Sequence, residues 1–383
     1  MTCENHQHIA CQADCNNQSA WQGQGIVIGH IDSGVDTTVP AFKTAIEGFR
    51  LFDYKGLYQK EAALTDLNGH GTMTAGLLVG RPTQTWKGGV AQRAQLLVAV
   101  AIESGYRINR ILSALIWMLE EPVRIVNLSV GFPEWNPIFR PVIQELARKN
   151  VLVVAAIGNG GAGQYHSPGA YPEVLSVGAA DNTGKVAPFS GSLNNHQVCL
   201  KPDVLGLHAT PAIGRGGKLL LEGTGTSGAT AIVSGIAARL MSQFPDATAL
   251  QVAAALKLTA SSLMPDQKHR SKGGLIQPLK ASQFLEDCPT LEPHSFGELD
   301  FFRDTELYRQ MQNTPPEKYI TVILYIKNKG HINEYISKTI LHPDFICSIC
   351  VDENLGYIVA ATLKSQLSHW WEDRNILMIS RAG

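Results

Sequence analysis

The stretch "EGTGTSGATA", Glu222 to Ala231, decides how the rest of the chain is read. Gly223, Gly225 and Gly228 reproduce the G-x-G-x-x-G spacing of a dinucleotide-binding turn. The same letters describe a serine, Ser227, at the start of a helix. Strand-like "GKLLL" in front and the helical run "AIVSGIAARLMSQF" behind suit both readings, and Asp246 lies about 20 positions on, where a ribose-binding acid would sit. The segment beyond that helix separates them. "FPDATALQVAAALKLTA" runs into more helix, whereas a βαβ unit needs a second strand there, and Asp246 precedes a helix instead of ending that strand. The glycines then serve close approach of backbone to a substrate, with Ser227 exposed at a helix N-terminus.

Upstream, short apolar runs alternate with helical patterns. "IVIGHID" (26–32), "AQLLVAVAI" (94–102), "VRIVNLSVG" (123–131), "VLVVAAIGN" (151–159) and "VLSVGAA" (174–180) are almost continuously apolar and rich in β-branched residues. Strands buried on both faces of a parallel sheet read this way. Between them, "INRILSALIWMLEE" (108–121) and "PIFRPVIQELARKN" (137–150) repeat their apolar residues at helical spacing. The expected class is α/β, a mostly parallel sheet flanked by helices. Such sheets bind ligands at the carboxyl ends of their strands, where this chain carries "DSG", "NLSVG" and "IGNGG".

The whole chain sets the outer bounds. Its 383 residues, 44% hydrophobic and 17% charged with a net charge of −1, suit an ordinary globular protein of two domains. That balance offers no electrostatic footprint for nucleic acid or an anionic membrane. The N-terminus has neither a basic n-region nor an apolar core, and no apolar run reaches about 18 residues, so a cytoplasmic location is expected. Seven cysteines at scattered positions do not form a disulfide framework. Cys3, His6, His8, Cys11 and Cys15 match no standard zinc spacing, and Cys347 and Cys350 fall on a strand-like segment where they face opposite sides. No metal and no cofactor is expected.

Four segments are expected: a tail (1–21), a large α/β domain (22–284), a proline-bearing acidic linker (285–315) and a small domain (316–383). In the last, "KYITVILYIKN", "INEYISKTI", "FICSICVD", "GYIVAATL", "SQLSHWWED" and "NILMIS" read as strand, helix, strand, strand, helix, strand. That order predicts an α+β, ferredoxin-like split βαβ.

Three glycine-flanked polar residues stand out at sheet edges: Asp32 in "HIDSGVD", His70 in "LNGHGTMTAG" and Ser227 in "GTGTSGATA". A serine hydroxyl is a poor nucleophile until an imidazole takes its proton, and the imidazole needs a carboxylate to fix its tautomer. Each alone has a bland reading, as helix cap, structural histidine or turn. Their order, aspartate, histidine, serine, is one of the known triad orders.

From about residue 22 to 284 the chain resembles the subtilisin-like serine proteases. "IDSGVD", "NGHGT" and "GTS-x-A" match that family's aspartate, histidine and serine motifs, and "AAIGNGG" matches the segment holding its oxyanion asparagine, here Asn159. "VNLSVG", "SPGAYPEVLSVGAAD" and "KPDVLGLH" agree with the text between. The resemblance implies Ser227 as nucleophile, His70 as base and then acid, Asp32 as its orienting partner, and Asn159 with the Ser227 N–H as oxyanion donors. It also implies that Ser104, Gly105 and Tyr106 on one side, and Ser129, Val130 and Gly131 on the other, pair with an extended substrate, with His166 at the floor of the specificity pocket.

The chain departs from that pattern. Gly228 stands where the family has a methionine and Ala231 where it has a proline, a loss expected to relax the first helical turn. Residues 317–380 resemble the family's propeptide inhibitor domain, which implies that the small domain docks on the protease domain as chaperone, brake or recruiting surface. The expected function is an endopeptidase acting on a peptide or protein, in particular peptide maturation. The alternatives are a peptide ligase or macrocyclase using the same triad, and a non-catalytic peptide- or nucleotide-binding protein.

Overall fold

The computed structural model describes residues 21–102, 107–195, 199–221 and 224–286, together with the backbone of strands between 319 and 377. The chain divides into two compact units, Met1–Leu285 and Glu286–Gly383.

The first unit is built on a seven-stranded sheet: β1 (Val27–Asp32), β2 (Ile46–Leu51), β3 (Gln95–Val100), β4 (Ile125–Leu128), β5 (Leu152–Ala156), β6 (Leu175–Ala180) and β7 (Val204–Leu207). Their spatial order is β7-β6-β5-β4-β1-β3-β2, and every pairing is parallel. Among the described residues six α-helices accompany them: α1 (His70–Val79), α2 (Arg107–Glu120), α3 (Arg140–Arg148), α4 (Gly225–Gln243), α5 (Ala249–Leu258) and α6 (Pro278–Glu286).

The near-continuous apolar runs are explained by two cores, one on each face. Along β3, Leu96, Val98 and Val100 enter the core formed with α1, α4 and α5, while Leu97 and Ala99 enter the core formed with α2 and α3. Alternation along a strand divides the residues this way, and both destinations are apolar. Helix α4 is buried nearly all round, which suits a helix crossing the middle of a large core. It carries Thr226, Ser227, Thr230 and Ser234 inward, each with a hydrogen-bond partner.

From β1 the chain moves to one side through β2 and β3, then returns to β4 on the other flank of β1. The gap between the carboxyl ends of β1 and β4 is therefore the topological switch point, where open parallel sheets bind ligands. Asp32 ends β1 there and Ser129 follows β4.

In the second unit, β8 (Tyr319–Asn328) and β9 (His331–Ile340) form an antiparallel hairpin, and β10 (Phe345–Cys350) pairs antiparallel with β11 (Ile358–Leu363) and β12 (Ile376–Leu377). The expectation of a helix at "INEYISKTI" is thus corrected: residues 331–340 are a strand. Ile332, Ile336 and Ile340 are spaced four apart, which satisfies helical and alternating patterns alike. A β-branched content shared with the facing strand, and a continuous register from Tyr319↔Ile340 to Asn328↔His331, resolve the ambiguity toward pairing. The described order is not the split βαβ, and "SQLSHWWED", the other expected helix, lies outside the described residues.

Candidate active site

Asp32 is fully buried at the end of β1, and its Oδ1 lies 2.7 Å from His70 Nδ1. The same oxygen accepts from the Ser33 N–H at 2.7 Å, and Oδ2 accepts from Thr74 Oγ1 at 3.2 Å. Burial pushes this carboxyl upward, yet the adjoining imidazole, the hydrogen bond to it, His30 and the Ser33 N–H together hold it below the usual carboxylate value. The Asp32 charge in turn raises His70 above an ordinary histidine, against the opposing effect of burial.

His70 is the first residue of α1, preceded by Gly69 at φ 91°, a left-handed position that suits glycine. The exposed backbone donors of that helix start are all occupied. His70 N–H donates to Asn68 Oδ1 at 3.2 Å, Gly71 N–H to Ser33 Oγ at 2.9 Å and Thr72 N–H to Asp66 Oδ2 at 2.8 Å. Asp66, 3% exposed, also accepts from Ser33 Oγ, Asn68 N–H, Gly69 N–H and Thr72 Oγ1. It therefore ties the loop before His70 to the end of β1. Sequence reasoning passed over Asp66, although its place four residues before His70, just ahead of a helix start, is a capping signal.

Ser227 is the third residue of α4, within the first turn, where backbone N–H groups lack intrahelical acceptors. Its hydroxyl donates to the Ser129 carbonyl at 3.0 Å, and Ser129 Oγ donates to the Ser227 carbonyl at 3.0 Å. Among the described residues the nucleophile candidate thus rests on the strand β4 side instead of on the imidazole. Asn159, on the loop after β5, accepts at Oδ1 from Thr226 N–H (3.0 Å) and Thr226 Oγ1 (2.9 Å). Two donors on one oxygen fix the amide's orientation and leave its Nδ2 free to face an anion. Gly225, at φ 61°, permits this approach, since a Cβ there would lie 3.0 Å from Asn159 Nδ2.

Behind these groups lies a polar row that the motifs alone do not reveal. His30 and Asn127 are register partners on β1 and β4, both fully buried. Asn127 Nδ2 is 3.3 Å from His30 Nδ1 and donates to Ser129 Oγ at 3.1 Å, while Asn127 Oδ1 accepts from Ser234 Oγ at 2.9 Å. Burial lowers the His30 pKa. The one signal available in the sequence is that "IVIGHID" and "VRIVNLSVG" each place a polar residue inside an otherwise apolar strand.

His166 forms a two-residue ribbon with the segment after β4, Phe132–Pro133 pairing with His166–Ser167. Its ring fills the space left by two glycines: a Cβ on Gly131 would lie 2.7 Å from the His166 Cβ, and one on Gly158 would lie 2.8 Å from the ring. His166 therefore sits between the segment holding Ser129, Val130 and Gly131 and the loop holding Asn159. Partial burial lowers its pKa. Ser104, Gly105 and Tyr106 lie outside the described residues.

The two departures have structural counterparts. A side chain at Gly228 would meet Thr224 Cβ and Oγ1 at 2.2 Å, so Thr224 occupies the space a larger residue would need. Ala231 is fully buried in α4, whose helix runs unbroken from Gly225 to Gln243. Its N–H is available to the Ser227 carbonyl, a bond that a proline would forgo.

Against known proteins, the sequence model of the Subtilase family (Peptidase S8) matches residues 23–277, the span that contains Asp32, His70, Asn159 and Ser227. The chain belongs to the subtilase family. Curated relatives include a subtilisin-like protease, an intracellular serine protease and a subtilisin. The subtilisin-like protease PopC of Myxococcus xanthus is 30% identical over 292 residues, which cover 66% of this subtilase and 59% of PopC. The major intracellular serine protease of Bacillus subtilis is 32% identical over 230 residues, 58% of this chain and 70% of that protein. Among solved structures, the prenylagaramide maturation protease PagA superposes with a TM-score of 0.57 at 26% identity, covering 67% of this chain and 93% of its own. The family match ends before the second unit begins. Among the described residues no helix of this subtilase is long and apolar enough to cross a membrane.

Proposed function

We propose that this subtilase cleaves peptide bonds with Ser227 as nucleophile, His70 as general base and acid, Asp32 as the orienting carboxylate, and Asn159 with the Ser227 N–H as oxyanion donors. The 2.7 Å contact between Asp32 Oδ1 and His70 Nδ1 carries the reading. It fixes the proton on Nδ1 and leaves Nε2 to take the proton of Ser227. When a substrate carbonyl enters beside α4, the Ser227 hydroxyl gives up its bond to the Ser129 carbonyl and turns to the imidazole. Asn159 Nδ2, aimed by Thr226, and the Ser227 N–H then face the developing negative charge.

Residues 129–131 supply a strand edge for an extended peptide, and His166 lines the pocket for the residue before the scissile bond. A half-buried, lowered-pKa imidazole is neutral at neutral pH, so it favours a polar or small side chain and offers no fixed charge to an acidic one. The likeness to PagA supports maturation of a dedicated peptide precursor, and that to the Bacillus protein supports an intracellular setting. Residues 22–284 form the catalytic domain in this reading and 316–383 an accessory module. Its strand order leaves the propeptide likeness without structural support.

The deciding experiment is fluorophosphonate labelling of the full chain. Labelling that maps to Ser227 and disappears in Ser227→Ala and His70→Ala supports the triad; labelling that survives either change rejects it. Mass-spectrometric profiling of a peptide library then reads cleavage specificity. Ligated or cyclic products in excess of hydrolysed ones would replace the hydrolase reading by acyl transfer to an amine.

A further inference from the structure

His30 precedes Asp32 by two residues on β1 and so faces the same side of the sheet, toward α1 and α4. Both ring nitrogens are engaged: Nδ1 lies 3.3 Å from Asn127 Nδ2, and Nε2 lies 3.2 Å from the Gly71 carbonyl oxygen. An amide N–H only donates and a carbonyl only accepts, so Nδ1 must accept and Nε2 must carry the proton. The Asn127 orientation is set independently, because Ser129 Oγ gives its one proton to the Ser227 carbonyl and can only accept from Asn127 Nδ2, which leaves Oδ1 to accept from Ser234 Oγ. Ser129 Oγ, having accepted from Asn127, donates onward to the Ser227 carbonyl. Thr74 Oγ1 lies 3.4 Å from His30 Nε2 and also reaches Asp32 Oδ2 at 3.2 Å, the Gly71 carbonyl at 3.2 Å and the His70 carbonyl at 3.0 Å, acceptors that share its one proton.

One neutral ring therefore joins β4, through Asn127, to the first turn of α1, and lies beside Thr74, which also neighbours the buried carboxylate. Resting on the triad proposed above, we infer that His30 is a positioning residue: held as the neutral Nε2–H tautomer, it keeps Asp32–His70 and Ser129–Ser227 in mutual register. The charged groups facing it are Asp32 and Asp66, which favour a proton, and His70, which opposes one; burial outweighs them and keeps the ring neutral. Protonation would set an N–H at Nδ1 against the N–H of Asn127 and break the link. Acid thus disables the site twice, first by protonating His70 and then, at lower pH, by protonating His30.

The test uses the full chain and the best peptide from library profiling. His30→Val removes both bonds, His30→Asn retains an acceptor near the Nδ1 position, and His30→Gln retains a donor that reaches toward Gly71; none titrates. His30→Val is expected to lower kcat about tenfold with KM changed less than about twofold, and Asn or Gln to recover part of the loss. The acid limb of log kcat/KM in the native chain should steepen from slope one to slope two, while all three variants keep slope one. Histidine nitrogen NMR of the unaltered protein should show His30 as the Nε2–H tautomer while His70 titrates, which decides the matter even if a variant fails to fold. An Nδ1–H or charged His30 overturns the inference, as does a folded His30→Val with native kcat and acid limb. If Ser227→Ala or His70→Ala leaves labelling intact, the triad itself fails, a result independent of His30.

Discussion

Ser129 and Ser227 hold each other reciprocally, each hydroxyl donating to the other's carbonyl at 3.0 Å. One bond parks the proposed nucleophile and the other anchors the backbone beneath it. They are separable by mutation. In Ser129→Ala the carbonyl remains to accept the Ser227 hydroxyl, but the Ser227 carbonyl loses a donor. A net hydrogen bond contributes about 1 kcal/mol, so the second-order rate of fluorophosphonate labelling should fall roughly fivefold to tenfold with folding intact. An unchanged labelling rate would show that α4 needs no such anchor.

The Asp32–His70 pair sets the pH response. His70 is raised above the ordinary imidazole value of 6.5, and it must be neutral to act as a base, so activity falls with acid through a midpoint above 6.5. The sign for stability is opposite. The raised His70 adds stability that is complete below 6.5 and disappears as pH rises through its folded value. The lowered Asp32 adds stability above about 3.9 that disappears in stronger acid. Asp32→Asn should shift the activity midpoint to lower pH, reduce kcat on the order of 10⁴-fold and remove the alkaline decline in stability. Kinetics and thermal melts across pH read all three.

Asn159→Ala deletes the proposed oxyanion donor and also both bonds to Thr226. The expected loss is roughly 10²–10³ in kcat with little change in KM. A loss confined to KM would assign Asn159 to substrate binding.

A buried ion pair on a different element bears on stability. Lys201 is 1% exposed, and its Nζ lies 2.6 Å from Asp203 Oδ2, an oxygen that also accepts from Ser176 N–H at 2.9 Å. Burial pushes the Asp203 carboxyl up, but Lys201, Lys257 and Lys272 bring it down to about 2. Its contribution is therefore present above about 3.9 and lost as pH falls toward about 2. Lys201→Met leaves a buried carboxylate short of its nearest cation and should cost about 3–5 kcal/mol, a drop in Tm on the order of 10 °C. Calorimetry near neutral pH checks it.

Gly228→Ala would place a Cβ 2.2 Å from Thr224 Cβ. The expected overpacking cost is about 1–3 kcal/mol, and it should be smaller in a Thr224→Gly background, a coupling that a double-mutant cycle measures.

The sheet and its flanking helices were legible because parallel strands buried on both faces leave continuous apolar runs, and β3 shows the two cores dividing such a run residue by residue. Asp32, His70 and Ser227 stood out for a different reason: each sits near glycines at the end of a strand or the start of a helix, in the order of a known triad. His30 and Asn127 were hidden because their significance lies in register across two strands, information that no single segment holds. Asp66 looked like an ordinary loop acid until its two oxygens were seen shared among five donors. The helix expected at 332–340 failed because isoleucines four apart suit two periodicities, and the partner strand, not the segment, made the choice.

Thr226 grips Asn159 by its amide oxygen alone. A carboxylate at position 159 would accept the same two donors and occupy the same space, yet in the proposed mechanism it would present a lone pair to the developing oxyanion where the amide presents an N–H. In the proposed mechanism Asn159→Asp therefore inverts the polarity of the pocket without moving it, so that whatever rate it loses measures electrostatics with geometry held constant.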